Sequence, residues 1–325
     1  IHAAAFDVKC EQCTFFHSDA LNADIGYRIF LPPGYDNDTS KRYPVVYFLH
    51  GYNFARNSAD KSAPQEGVNH WMEQERAADT GYCMMTQSSF DTLDKCLTDR
   101  GIESPNDIVK DLKEEYPDAK LPIPPMIIVT PDGKNSFYID RLDKQPLYPP
   151  ADGPDIVNGL YKGATGMYDT YISSDLVKHI DSTYRTIADR NHRGIGGFSM
   201  GGVGSMLLAL RHQDVYCSVT SQSASYNLEE RFTSPFDFNY LKDTIPELLS
   251  VMVPANASGA PMKKFDIKYV REHDPATVAK NLDKIDLKVY YEAGAKDFFS
   301  GKDNFSTFKK FEDVMKAKGV QTWPK

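Results

Sequence analysis

Residues 193–212 read RGIGGFSMGGVGSMLLALRH, and Gly197-Phe198-Ser199-Met200-Gly201 within them spells G-x-S-x-G. A short run containing Ile195 precedes the serine, and a long apolar segment of helical pattern follows it. A serine on a sharp strand-to-helix turn has strained dihedrals, so its neighbours must be small. Such a turn lifts the hydroxyl from the C-terminal edge of a sheet, where α/β sheets bind ligands. It also sets the hydroxyl at a helix N-terminus, whose free N–H groups favour developing negative charge. Ser199 is therefore the candidate nucleophile for acyl transfer. The competing reading is a glycine-rich turn that only packs helix on strand.

An acyl-transfer nucleophile also needs donors for the oxyanion. One is expected from the N–H of the residue after the serine, Met200, and the second from the loop after an earlier strand. The stretch YPVVYFLHGY supplies that loop. Its apolar strand ends at His50-Gly51, and the bend at Gly51 lets the N–H of Tyr52 turn inward. His50 has the chemistry of a general base, but its place in the loop reads as loop-ordering.

The elements that must position these groups are legible as alternating strand and helix patterns. IGYRIFLPPGYD, YPVVYFLHG, PMIIVTPDG and VYYEAG read as strands ended by Pro, Gly or Asp. The unbroken apolar run Val45 to Leu49 suggests a strand buried on both faces. YDTYISSDLVKHIDSTY places Ile172, Leu176 and Ile180 on one helix face, with Ser173 or Ser174 near its start. Asp274-Pro275 reads as an N-cap with Pro at the first helical position. NFSTFKKFEDVMKAKG puts Phe305, Phe308 and Met315 on one stripe and ends at Gly319. Alternation of this kind predicts a mostly parallel α/β sheet with helices on both faces. Two stretches break it: residues 52–125, polar and turn-rich with weak helix patterns at 71–78 and 108–115, and residues 137–167. Long excursions of this sort are usually binding loops or lids. Tyr138, Tyr148, Tyr161 and Tyr168 lie in or beside the second, as staples to the body or as lining of a pocket.

The chain has 325 residues, ample for a buried core in one catalytic domain over 1–325. A net charge of -8 argues against nucleic acid or an anionic membrane as the main partner. No apolar run approaches the ~20 residues that span a bilayer. Cys10 and Cys13 form a C-x-x-C followed by His17, one ligand short of a closed zinc site, so no metal is expected there. Cys83 and Cys96 are expected to pair if the protein is secreted, and Cys217 reads as a buried small hydrophobe. Sequons at Asn37, Asn256 and Asn304 permit secretion. The first residue is Ile1 rather than Met, which suggests a processed N-terminus.

From residue 26 onward, YRIFLPPGYD, YPVVYFLHG, PMIIVTPDG, GIGGFSMGG and YYEAGAKDF follow one another as in the α/β-hydrolase esterases of the esterase D/antigen 85 group. They resemble most its carbohydrate esterase family 1 members, the feruloyl and acetylxylan esterases. The resemblance implies an α/β-hydrolase fold with 52–125 longer than usual, and a plant cell-wall ester as substrate: feruloyl or acetyl on xylan. It also implies secretion. The chemistry needs no metal or organic cofactor.

In this fold the triad runs Ser, then Asp or Glu, then His. The family's acid falls on Asp297 in YYEAGAKD, with Asp303 as runner-up. The eight histidines, His2, His17, His50, His70, His179, His192, His212 and His273, all precede Asp297. The expectation is that the sequence stops just short of a catalytic histidine lying beyond VQTWPK. His273, in EHDP, is the alternative inside the chain. Without a base the rate should fall by about 10^4-fold or more. Other readings of the same frame are a mycolyltransferase-like acyltransferase, an S-formylglutathione hydrolase, and a catalytically inactive glycan-binding homologue.

Overall fold

The structure, a computed structural model, describes residues 14–52, 68–102, 109–110, 112–114, 118, 120–141, 165–229, 266–294 and 306–320. Seven strands form one sheet: β1 (Thr14–Ser18), β2 (Ala23–Phe30), β3 (Val45–Leu49), β4 (Ile127–Pro131), β5 (Arg193–Phe198), β6 (Ser218–Gln222) and β7 (Lys288–Glu292). Their order is β1-β2-β4-β3-β5-β6-β7. β2 pairs antiparallel with β1 and β4, and every pairing from β4 to β7 is parallel. The predicted class, a mostly parallel α/β sheet, is the observed one.

Both faces of the sheet are covered. Val45, Tyr47, Leu49, Ile127, Val129 and Ile195 alternate into the main core, as the period-2 geometry of a strand requires. Ile172, Leu176 and Ile180 join them as predicted, all fully buried. On the other face Ile128 meets helix α1 (Val68–Thr86), where a Cβ on Gly81 would lie 2.5 Å from the Ile128 Cδ1.

The helix carrying Ile172 starts earlier than its sequence pattern suggested. It runs as Tyr168–Thr170, a π-helical Tyr171–Leu176 and Val177–Thr183, together α3. Ser173 is thus inside it rather than near its start, and its hydroxyl donates to the Asp169 carbonyl at 2.6 Å. The 52–125 stretch is also more helical than expected. α1 and α2 (Phe90–Asp99) form a helical pair with a small core of their own, Cys83, Leu93, Leu97, Ile102 and Val109. Cys83 and Cys96 are joined there in a disulfide. Ser89 and Thr92 close α2 with a reciprocal capping box.

Further helices are α4 (Met200–Arg211), α5 (Ile267–Glu272), α6 (Pro275–Asn281) and α7 (Ser306–Ala317). Asp274 caps α6 from its side chain and Pro275 opens it. Phe308 and Met315 are buried, and Gly319 adopts φ 69° just past the end of α7. Cys217 is a correction: it is half-exposed, not buried, with its thiol 3.3 Å from the Asn191 carbonyl. It sits where the chain enters β6, outside the apolar stripe of α4. Cys10, Cys13, Tyr148, Tyr161, Asn256, Asn304 and Phe305 lie outside the described residues.

Candidate active site

β5 delivers the chain to Ser199, which adopts φ 53° and ψ -113° before α4 begins at Met200. A non-glycine residue in that region costs on the order of 1–3 kcal/mol and persists only where its surroundings enforce it. Here the Ser199 N–H donates to the Gln222 carbonyl of β6 at 2.8 Å, and its own carbonyl accepts from Val203 at 3.0 Å. The flanking glycines are required by close approach. A Cβ on Gly197 would lie 2.5 Å from the Gly201 backbone, and one on Gly201 would lie 2.0 Å from the Leu49 carbonyl oxygen. The turn closes only because both positions lack a side chain.

The same contacts seat the proposed oxyanion loop. Leu49 is the register partner of Gly197, and Gly201 packs on the Leu49 and His50 carbonyls. The chain leaving β3 therefore passes the N-terminus of α4 and brings Gly51-Tyr52 to the edge where Met200 opens the helix. The first N–H groups of α4 have no intrahelical acceptor, so the Met200 N–H is available in kind.

His50 orders this loop. Its Nδ1–H donates to the Gly51 carbonyl at 2.8 Å, and its Nε2 accepts from the Gly133 N–H at 3.0 Å. Both ring nitrogens are engaged and burial lowers its pKa, so it stays neutral.

The loop after β4 supplies a second brace. Between β4 and Arg141 the loop carries Lys134, Phe137 and Tyr138 with positive φ. The Ser136 hydroxyl donates to the Gly133 carbonyl at 2.6 Å and accepts from the Tyr138 N–H at 3.0 Å. Tyr138 is fully buried, and its hydroxyl donates to the His50 carbonyl at 3.0 Å. Its ring fills the space beside Gly133 and Gly204, where added Cβ atoms would stand 2.1 and 2.4 Å from it. Tyr138 and Tyr168 are thus staples, not pocket lining. The signal in the sequence was Gly204, a glycine three residues beyond the G-x-S-x-G.

Asp297 and Asp303 lie outside the described residues. β7, which leads to Asp297, ends at Glu292, in register with Gln222. The other histidines whose side chains the structure describes are engaged elsewhere. His17 pairs with Asp24, and His192 with Asp189. His179 bonds the Tyr27 hydroxyl and stacks on Phe16. His212 reaches buried Asp169 at 2.5 Å, beside Arg211. Burial alone would raise the Asp169 carboxyl, but the hydrogen bond and charge of His212, with Arg211, hold it below its usual value.

His273 packs its ring on Tyr269, donates from Nδ1 to the Tyr269 carbonyl at 2.8 Å, and feels the charges of Arg211 and Asp169. Arg211 ends α4, a helix of 12 residues or ~18 Å that Ser199 opens. The structure does not bring His273 to the nucleophile.

His273 and Asp274 have opposite electrostatic effects. Burial lowers His273 from 6.5 to about 4, and burial raises Asp274 from 3.8 to about 6. A depressed histidine binds its proton mainly in the unfolded chain, so its contribution is present above pH 6.5 and lost as pH falls towards 4. A raised aspartate binds its proton more tightly in the folded chain, so stability falls as pH rises from 4 to 6. The two slopes oppose each other across that window. Replacing His273 with asparagine should expose the aspartate slope. The urea midpoint of the variant, relative to the wild type, should then be higher at pH 4.5 than at pH 6.5, by up to about 3 kcal/mol in stability. A pH-independent difference would show that His273 does not titrate across this window.

A family model described as "Putative esterase" matches residues 18–80 and 107–321. Residues 81–106, the end of α1 with α2, stand outside the match. Solved structures show the same fold. MPT51 of Mycobacterium tuberculosis superposes with a TM-score of 0.55 at 14% identity, over 96% of this chain and 88% of that one. A ferulic acid esterase superposes at 0.53 with 21% identity, over 96% and 87%. An S-formylglutathione hydrolase from Agrobacterium tumefaciens superposes at 0.52 with 16% identity, over 96% and 84%.

Proposed function

We propose that this chain, which belongs to the esterase family and has the α/β-hydrolase fold, is a secreted serine carboxylesterase that releases feruloyl or acetyl groups from plant cell-wall polysaccharide. The observation that carries the serine mechanism is Ser199 held at φ 53° over a glycine-bounded turn, against the chain that leaves β3 through His50. In this reading the Ser199 oxygen attacks the ester carbonyl while a general base takes its proton. The N–H groups of Tyr52 and Met200 hold the oxyanion. Collapse expels the alcohol, which receives the proton back, and leaves an acyl group on Ser199. Water attacks that acyl group by the same steps in reverse. Asp297 orients the base and stabilises its charged form. The base is a histidine other than His17, His50, His179, His192, His212 and His273.

Two features support the substrate and the location. Phe198, beside the nucleophile, is 40% exposed, a large apolar ring open to solvent at the site's edge. Such a ring suits an aromatic acyl group, and a ferulic acid esterase is among the structures this chain superposes on. The disulfide between Cys83 and Cys96 favours an oxidising compartment over the cytosol in which an S-formylglutathione hydrolase would work.

The test is a substrate panel with the complete protein: methyl ferulate, acetylated xylan and S-formylglutathione. The expected result is kcat/KM for methyl ferulate at least 100-fold above that for S-formylglutathione, with Phe198→Ala narrowing the ratio by about ten-fold. The reverse ratio would overturn the substrate assignment and leave the serine mechanism standing.

A further inference from the structure

The ends of β5, β6 and β7 are tied by a set of hydrogen bonds that centres on Glu292. Phe198, Gln222 and Glu292 are register partners across the three strands. The Gln222 carbonyl accepts the Ser199 N–H at 2.8 Å, and the Glu292 carbonyl accepts the Ser223 N–H at 2.9 Å. Ser223, like Ser199, is a non-glycine residue with positive φ. Both carboxylate oxygens of Glu292 are also used. Oε1 accepts from the Gln222 side-chain amide at 2.8 Å, and Oε2 accepts from the Tyr290 hydroxyl at 2.6 Å. Tyr290 and Glu292 are two residues apart, so they share a face of β7. One carboxylate thus fixes the residue that holds the elbow from behind and the strand whose chain continues to Asp297 five positions on.

We infer that Glu292 is a positioning residue for the reaction: it holds the Ser199 turn and the end of β7 in fixed relation. This inference rests on the esterase reading above. Hydrogen bonds to an ionised carboxylate are about twice as strong as neutral ones, and a ~1 Å misplacement of a catalytic group lowers turnover by ~100-fold. In this role Glu292 acts through Gln222 and β7 and not on the substrate. Its effect should therefore fall on kcat and leave KM unchanged, and a glutamine should restore most of it. Glutamine keeps an oxygen for the Gln222 amide, and its own amide can donate to the Tyr290 oxygen.

The experiment compares wild type, Glu292→Ala, Glu292→Gln and Ser199→Ala of the complete protein, with kcat and KM measured separately and the rate of covalent labelling by an organophosphonate followed. Glu292→Ala should lower kcat and the labelling rate together by 10- to 100-fold, with KM within two-fold, and Glu292→Gln should recover to within about three-fold of wild type. Wild-type kcat in Glu292→Ala, with Ser199→Ala inactive, would overturn the inference and leave the esterase reading intact. An unlabelled, inactive wild type would overturn both. If Glu292→Ala fails to fold, Tyr290→Phe takes its place, because it removes the hydrogen bond to Glu292 and keeps the ring. It should lower kcat several-fold, and an unchanged kcat there would equally overturn the inference.

Discussion

Ser199→Ala in the complete protein should lose esterase turnover by 10^4-fold or more while folding as well as the wild type. The activity loss follows from removing the only atom that forms the acyl bond; what remains is binding and oxyanion stabilisation. Such a factor corresponds to at least about 5.5 kcal/mol of transition-state stabilisation. The fold should survive because the hydrogen bonds at this position are made by the backbone. Its N–H goes to Gln222 and its carbonyl receives Val203, and alanine keeps both. Initial rates with methyl ferulate, read beside a thermal melt, separate the two effects. Retained turnover would remove Ser199 from the mechanism.

Gly201→Ala should be the most damaging single methyl in the site. Its Cβ would stand 2.0 Å from the Leu49 carbonyl oxygen and 2.7 Å from that of His50. Neither partner is a flexible side-chain end. Leu49 belongs to β3, paired with β5 at Gly197, and Gly201 lies in the first turn of α4. Relief requires the helix start and the end of β3 to separate. We expect a loss on the order of 3 kcal/mol or more in a urea titration. The separation also moves the Met200 and Tyr52 N–H groups apart, so kcat should fall in whatever fraction folds. Gly294→Ala, with open space at that position, should leave stability within about 0.5 kcal/mol. Equal stability of the two variants would contradict the close packing described here.

The apolar strands were readable because covering both faces of the sheet leaves an unbroken apolar run, as in Val45 to Leu49. β6 escaped for the opposite reason. Its sequence, Ser-Val-Thr-Ser-Gln, is polar although it lies between β5 and β7. Its polar groups serve the site's frame: the Ser221 hydroxyl donates to the Gly202 carbonyl at 2.7 Å, and the Gln222 amide to Glu292. Helix α3 was placed by Ile172, Leu176 and Ile180, but its start was missed because Asp169 and Tyr168 carry no apolar period. The serine turn was legible because its glycines are forced by backbone contact. Tyr138 was readable as a staple or as pocket lining, but not where it docks, because Gly133 and Gly204, which make room for it, stand 71 positions apart. His50 and His273 show that residue type does not make a base. Each is held by a backbone carbonyl, His50 at Gly51 and His273 at Tyr269.

The central claim is that Ser199 is an activated nucleophile. It is tested most directly by treating the complete protein with a fluorophosphonate and mapping the adduct by peptide mass spectrometry. The account predicts a stoichiometric adduct on the peptide bearing Gly197-Phe198-Ser199-Met200-Gly201, absent in Ser199→Ala and abolished by prior unfolding. A folded protein that stays unlabelled, or carries the adduct on another residue, would contradict it and leave the glycine-bounded turn as packing alone.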